Sequence, residues 1–200
     1  MRIITGIYKG RRFDIPKTFK ARPTTDFAKE NIFNVINGLI DLEEATALDL
    51  FAGTGSISLE LLSRGCSSVV SVEKDRDHAQ FIAQCVKKIG CDNHILIKGD
   101  VFKFLKTCRH QFDFIFADPP YQLKELPEIP SLVLDSNLLK PDGIFVFEHG
   151  QQSDFSQHPL LIDHRAYGSV NFSVFRKVTT AETTDEPTSR AAAEGNDTAG

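Results

Sequence analysis

Leu48-Asp49-Leu50-Phe51-Ala52-Gly53-Thr54-Gly55-Ser56 is the stretch that decides the fold. An apolar run over 45–51 feeds straight into a glycine turn. Ile57, Leu59, Leu61 and Leu62 then supply the apolar positions of a helix. The order is strand, tight loop, helix. Glycines at 53 and 55 let the backbone take positive φ and pass close to a ligand. The helix behind them aims unpaired N–H groups at the same spot. Glu73 lies twenty residues beyond Gly53, at the end of a second apolar run over 69–72. An acid at that spacing accepts hydrogen bonds from ribose hydroxyls. The stretch therefore predicts a nucleoside-binding crevice.

Outward from the loop, strand and helix signals alternate. Strands are expected at 45–51, 68–73, 94–98, 112–118 and 143–148, with helices at 55–64, 75–89, 100–108 and 124–138. Short apolar strands alternating with helices imply an α/β fold, a mostly parallel sheet with helices on both faces and right-handed crossovers. The end differs. Leu160 to Tyr167 and Asn171 to Lys177 are strand-like and joined by Gly168-Ser169, so a C-terminal antiparallel hairpin is expected. At the start, Arg2 to Tyr8 and Arg11 to Pro16 alternate around Lys9-Gly10, which suits a small β-hairpin. Thr24 or Thr25 should cap a first helix whose apolar face includes Phe27, Ile32, Phe33, Val35, Ile36 and Leu39. Residues 1–42 are thus expected to form a basic hairpin and helix extension. Residues 43–178 are expected to form the main domain and 179–200 a disordered acidic tail.

Composition narrows the class. Two hundred residues with 41% hydrophobic content suit a folded domain with a real core. No apolar run is long enough for a transmembrane helix, and Met1 to Gly6 lacks a signal peptide's apolar core. Cys66, Cys85, Cys91 and Cys108 form no CxxC pair, so reduced thiols and a cytoplasmic location are expected. The net charge of −4 is unevenly spread. Residues 1–22 carry Arg2, Lys9, Arg11, Arg12, Lys17, Lys20 and Arg22 against Asp14 alone, while five acids face Arg190 from Thr179 onward. A local basic surface is compatible with a nucleic-acid partner despite the acidic total. Six scattered histidines offer no convincing metal-ligand spacing, so no metal is expected.

A second stretch carries chemistry: Asp118-Pro119-Pro120-Tyr121, at the end of the apolar run from Phe112. In a parallel sheet all strand C-termini share one edge, so Asp118 should face the crevice of Gly53, Gly55 and Glu73. Asp118 and the Pro119 carbonyl make an acceptor-rich pocket for an exocyclic amine, and Tyr121 offers a flat face to a base. Asp100, at the end of the third strand, suits an adenine amino group, with Val101 or Phe102 against the ring. It equally suits capping the next helix.

Together these residues resemble the class I S-adenosylmethionine-dependent methyltransferases, with their Rossmann-like fold. To about Lys177 the chain looks like the bacterial family that methylates the N2 amine of a guanine in 16S ribosomal RNA. The resemblance rests on Arg2-Ile3-Ile4 with Lys9-Gly10-Arg11, on Arg22-Pro23-Thr24-Thr25-Asp26, on the glycine loop, on Leu62-Ser63-Arg64-Gly65 and on Asp118-Pro119-Pro120-Tyr121, with Glu148-His149 also fitting. Phe27-Ala28-Lys29-Glu30 and the acidic tail depart from the family pattern.

The resemblance implies roles. Asp49, Phe51, Gly53 and Gly55 would hold the methionine side of S-adenosyl-L-methionine, with Glu73 and Lys74 at the ribose and Asp100 and Val101 at the adenine. Asp118, Pro119, Pro120 and Tyr121 would hold the target base. Arg2, Lys9, Arg11, Arg12, Arg22, Thr24 and Thr25 would contact RNA. The products would be methylated 16S ribosomal RNA and S-adenosyl-L-homocysteine. A monomer acting on the RNA or on an assembling 30S particle is expected, with no membrane partner. Three alternatives share part of the pattern. An adenine-N6 methyltransferase acting on DNA or RNA shares Asp118 to Tyr121, a nicotinamide-dependent oxidoreductase shares the loop and Glu73, and a non-catalytic RNA-binding module shares the basic start.

Overall fold

The computed structural model describes residues 1–19 and 25–178. The first helix, α1 (Asp26–Asn37), starts at Thr25, whose side chain accepts from the Ala28 N–H. Then come β1 (Thr46–Leu50), α2 (Ser56–Ser63), β2 (Ser68–Glu73), α3 (Arg76–Ile89), β3 (His94–Lys98), α4 (Val101–Thr107) and β4 (Phe112–Ala117). Asp75 caps α3 and Asp100 caps α4, each accepting from two backbone N–H groups that the first turn leaves unpaired. The expected helix over 124–138 is not one helix. A 3-10 turn (Leu126–Glu128) precedes a six-residue α5 (Ile129–Leu134), because Pro127 and Pro130 lack the N–H groups a continuous helix needs. The next strand, β5 (Leu139–His149), begins earlier than expected, and β6 (Leu161–Tyr167) and β7 (Val170–Arg176) form the expected terminal hairpin.

The seven strands lie in the order β3-β2-β1-β4-β5-β7-β6. β1 to β5 pair in parallel, while β7 runs antiparallel to both β5 and β6. The order reverses between β1 and β4, where an α/β sheet opens a crevice. Side chains alternate across the sheet. Ala47, Val69, Phe114, Phe116 and Val146 pack with α1, α2 and α3 on one face. Leu48, Leu50, Ile115, Phe145 and Phe147 pack with α4 and α5 on the other. No helix among the described residues is long and apolar enough to cross a membrane.

The N-terminal segment forms a short hairpin with one bridge, Arg2 to Arg12, supported by the Ile3 N–H on the Arg11 carbonyl (3.0 Å) and the Phe13 N–H on the Met1 carbonyl (3.0 Å). It forms no longer ladder because its backbone is committed to α2. Ile4 and Thr5 donate their N–H groups to the Glu60 carboxylate at 2.8 and 3.0 Å. Ile7 and Tyr8 donate to the Ser63 carbonyl and hydroxyl. Gly6 sits so close that an added Cβ would lie 1.7 Å from the Ser63 carbonyl oxygen, which only glycine permits at this contact.

A buried cation completes the attachment. Lys29 and Glu60 are both inaccessible to solvent. The Lys29 ammonium donates to the Arg2 carbonyl (2.6 Å) and the Ser56 hydroxyl (3.0 Å) and lies 3.6 Å from Glu60. Arg64 reaches the same carboxylate at 3.0 Å. Burial pushes the Lys29 ammonium toward losing its proton, and Glu60 opposes that. Removing one partner strands the other charge away from water. Glu60→Ala should therefore cost about 3–5 kcal/mol in urea unfolding. A cost under about 1 kcal/mol would show that this junction carries no structural weight.

Candidate active site

Register places four acids on one face and at one edge of the sheet. Asp49 lies opposite Phe116, and Asp118 comes two positions after Phe116, just past the end of β4. Phe116 pairs with Val146 and Ala117 with Phe147, so Asp118 comes level with Glu148 on the neighbouring strand. Glu73 ends β2 with the same parity as Val69. The alternation of a parallel sheet thus sends Asp49, Glu73, Asp118 and Glu148 toward the helices α1 to α3 at the carboxyl ends of their strands.

Burial first, and neighbouring charge second, raise the proton affinity of two of them, Asp49 and Asp118. Asp49 is buried, accepts from the Ser58 N–H (3.0 Å) and the Ser58 hydroxyl, and is pushed up to about 7 by burial. Asp118 is held well above the ordinary carboxylate range by burial first, then by the charges of Glu148 and Asp49. Glu148 has no role in the sequence reading beyond fitting a family pattern. Its signal was parity: it falls two residues after Val146, in phase with the strand positions that face α1 to α3.

The glycine loop has the expected shape. Gly53 and Gly55 have φ of +54° and +75°, and Phe51 also takes positive φ, at +60°. A Cβ at Gly55 would lie 2.9 Å from the Ile82 side chain, so position 55 has neither the space nor the conformation for another residue. Glu73 spans the loop: Oε2 accepts from the Gly53 N–H and Oε1 from the Asp75 N–H, both at 2.7 Å. Phe51 meets the edge of Phe102 at 6.2 Å, and Val101 is buried beside them. Asp100 performs the capping role, with Oδ1 on the Phe102 and Lys103 N–H groups and Oδ2 3.3 Å from the Lys74 ammonium.

After Asp118 the chain turns over a buried Pro119 and an exposed Pro120, whose carbonyl accepts from the Leu123 N–H at 2.9 Å. Tyr121 is 42% exposed, and its hydroxyl donates to Glu148 Oε1 at 3.2 Å. Gly150 lies beneath the ring, where a Cβ would sit 3.1 Å from Tyr121 Cδ2. Burial and the neighbouring Glu148 and Asp118 keep the phenol protonated.

Some of the basic residues at the start are committed to partners within the chain. Arg2 pairs with Asp26 at 3.0 Å, and Arg11 donates to the Lys88 carbonyl and lies over Tyr8. Lys9 and Arg12 are exposed. Thr25 is the α1 cap, and Arg22 and Thr24 lie outside the described residues. The segment does reach the crevice, since the Thr54 hydroxyl contacts Met1 Sδ at 3.6 Å.

Strand order, glycine loop and acid cluster together define a Rossmann-like methyltransferase. More narrowly, the chain belongs to the family described as conserved hypothetical protein 95, which matches residues 1–176. It is similar to ribosomal RNA small subunit methyltransferase D of Escherichia coli K12, with 27% identity across 88% of this chain and 90% of that protein. YlbH of Bacillus subtilis is 30% identical across 88% and 99%. Among solved structures, yhhF of Escherichia coli matches with a TM-score of 0.78 at 25% identity, covering 89% and 98% of the two chains. A hypothetical protein of Thermus thermophilus gives 0.77 at 26%, covering 88% and 98%.

The cluster has a thermodynamic signature. Asp118 binds its proton more tightly folded than unfolded, so its contribution to stability falls as pH rises above the ordinary carboxylate value. Asp118→Asn removes that decline. Its melting temperature should exceed wild type by a margin that widens from about pH 5 to about pH 8. A margin independent of pH would place the charge elsewhere.

Proposed function

We propose that this chain transfers a methyl group from S-adenosylmethionine to the N2 amine of a guanine in small-subunit (16S) ribosomal RNA. The observation that carries the reading is Asp118 set between Glu148 and Asp49, on the sheet edge that also holds the Gly53–Gly55 loop. The RNA class follows the names of the relatives, and the guanine amine follows the resemblance of Asp118 to Tyr121. The cofactor fits the residues present. A Cβ at Gly53 would come no closer than 3.8 Å to its neighbours, leaving space above the loop. Phe51 and Phe102 supply an aromatic wall, and the Glu73 carboxylate keeps lone pairs beyond its two backbone bonds. When bound, S-adenosylmethionine supplies an electrophilic methyl group on a sulfonium.

The chain's own task is to prepare the nitrogen. An aromatic amine delocalises its lone pair into the ring and is a poor nucleophile. Asp118 and the Pro119 carbonyl accept its two N–H groups, hold the nitrogen closer to tetrahedral and aim the lone pair. Positioning of this kind contributes on the order of 7–11 kcal/mol in favourable cases. Asp118 ionises more readily when positive charge enters the cluster, and its high proton affinity suits it to take the proton the methylated nitrogen releases. Tyr121, fixed by Glu148 and Gly150, presents its ring to the base, which must leave its stack to enter.

Three results test this. Asp118→Ala should bind S-adenosylmethionine as wild type does by calorimetry yet lose methyl transfer to 16S ribosomal RNA. Labelled N2-methylguanosine should appear in the wild-type digest, whereas N6-methyladenosine would favour the adenine alternative. Glu148→Gln should shift the acidic limb of the pH–rate profile downward, because Asp118 then ionises beside one charge fewer. An unmoved limb would remove Asp118 from the titrating step.

A further inference from the structure

The expected base-contacting residues leave one aromatic feature unexplained. Phe27 is 66% exposed at the start of α1. The buried stripe of that helix is Ala28, Lys29, Ile32, Phe33 and Ile36, and Phe27 lies off it. Core packing therefore does not account for a phenylalanine there. Its ring instead meets Tyr167 edge-on at 6.0 Å. Tyr167 packs on Phe172 at 6.0 Å, and Phe172 on Phe116 at 6.3 Å. Phe172 is the register partner of Glu148, and Phe116 lies two residues before Asp118 on the same face. A continuous row of rings thus runs from the wall of the amine pocket to the surface.

The row ends beside positive charge. The Arg2 guanidinium, 40% exposed, pairs with Asp26, the residue before Phe27. An exposed aromatic face with a cation next to it, joined through the buried rings of Phe172 and Phe116 to the strand that leads to Asp118, suits a stacked base and its phosphate better than an apolar protein surface. Resting on the proposed RNA activity, we propose that Phe27, backed by Tyr167, stacks the unpaired nucleobase flanking the methylated one. A target base drawn from its stack leaves a neighbour without a partner on one side. Phe27 replaces that partner and sets which strand geometry reaches Asp118.

The test uses the full chain, a 16S ribosomal RNA transcript, assembled 30S particles and three variants. Phe27→Ala and Phe27→Leu should raise KM for RNA about tenfold, the scale of one lost base–aromatic stack, with kcat and S-adenosylmethionine affinity unchanged. Phe27→Trp should retain the wild-type KM, which a role in packing alone does not explain. Wild-type KM in both Phe27→Ala and Phe27→Leu overturns the inference while leaving the methyltransferase reading intact. An increase confined to assembled particles and absent on naked transcript overturns it in favour of a protein contact. If wild type methylates neither RNA nor particle, the underlying reading fails and takes the inference with it.

Discussion

The crowding of carboxylates at one corner of the sheet governs the rest of this molecule. Asp49, Asp118 and Glu148 are brought together by strand register, and the charges of Glu148 and Asp49 both add to the proton affinity that burial gives Asp118. A fold relieves such crowding by neutralising groups or by binding positive charge. Here the neighbouring loop has space above Gly53 and no room for a side chain at Gly55. The corner is costly in an empty protein and favourable in an occupied one. That asymmetry suits a site for a sulfonium and an amine.

A second charge arrangement solves a different problem. The N-terminal segment has little sheet pairing of its own, and a short hairpin is marginal in water. Glu60 substitutes for a partner strand by accepting the Ile4 and Thr5 N–H groups, and Lys29 ties the Arg2 carbonyl to Ser56. Ser56 is the first residue of α2, directly after the glycine loop. The surface expected to meet RNA is therefore built on the same helix that closes the crevice.

Much of this was legible in the sequence, and physics says which part. Strand ends carrying Glu73 and Asp118 could be read because parallel strands of a βαβ fold share one edge, so linear position converts to spatial position. The runs at 68–73 and 94–98 matched β2 and β3 because apolar content and turn residues agreed on the boundaries. The helix at 124–138 failed at its two prolines. The early start of β5 was hidden by Lys140-Pro141-Asp142, which reads as a turn, while Asp142 takes positive φ within the strand. The Lys29–Glu60 contact left no periodic trace, since a buried ion pair joins positions that no spacing rule connects. The Phe27–Tyr167 pair was invisible for the same reason.

The acid corner and the glycine loop are proposed to form one site acting on a guanine amine of ribosomal RNA. The most direct test is nucleoside mass spectrometry of small-subunit RNA from cells lacking this protein, restored with wild type or with Asp118→Ala. One N2-methylguanosine should disappear in the deletion, return with wild type and stay absent with Asp118→Ala. An unchanged N2-methylguanosine content in the deletion, or its return with Asp118→Ala, would contradict it.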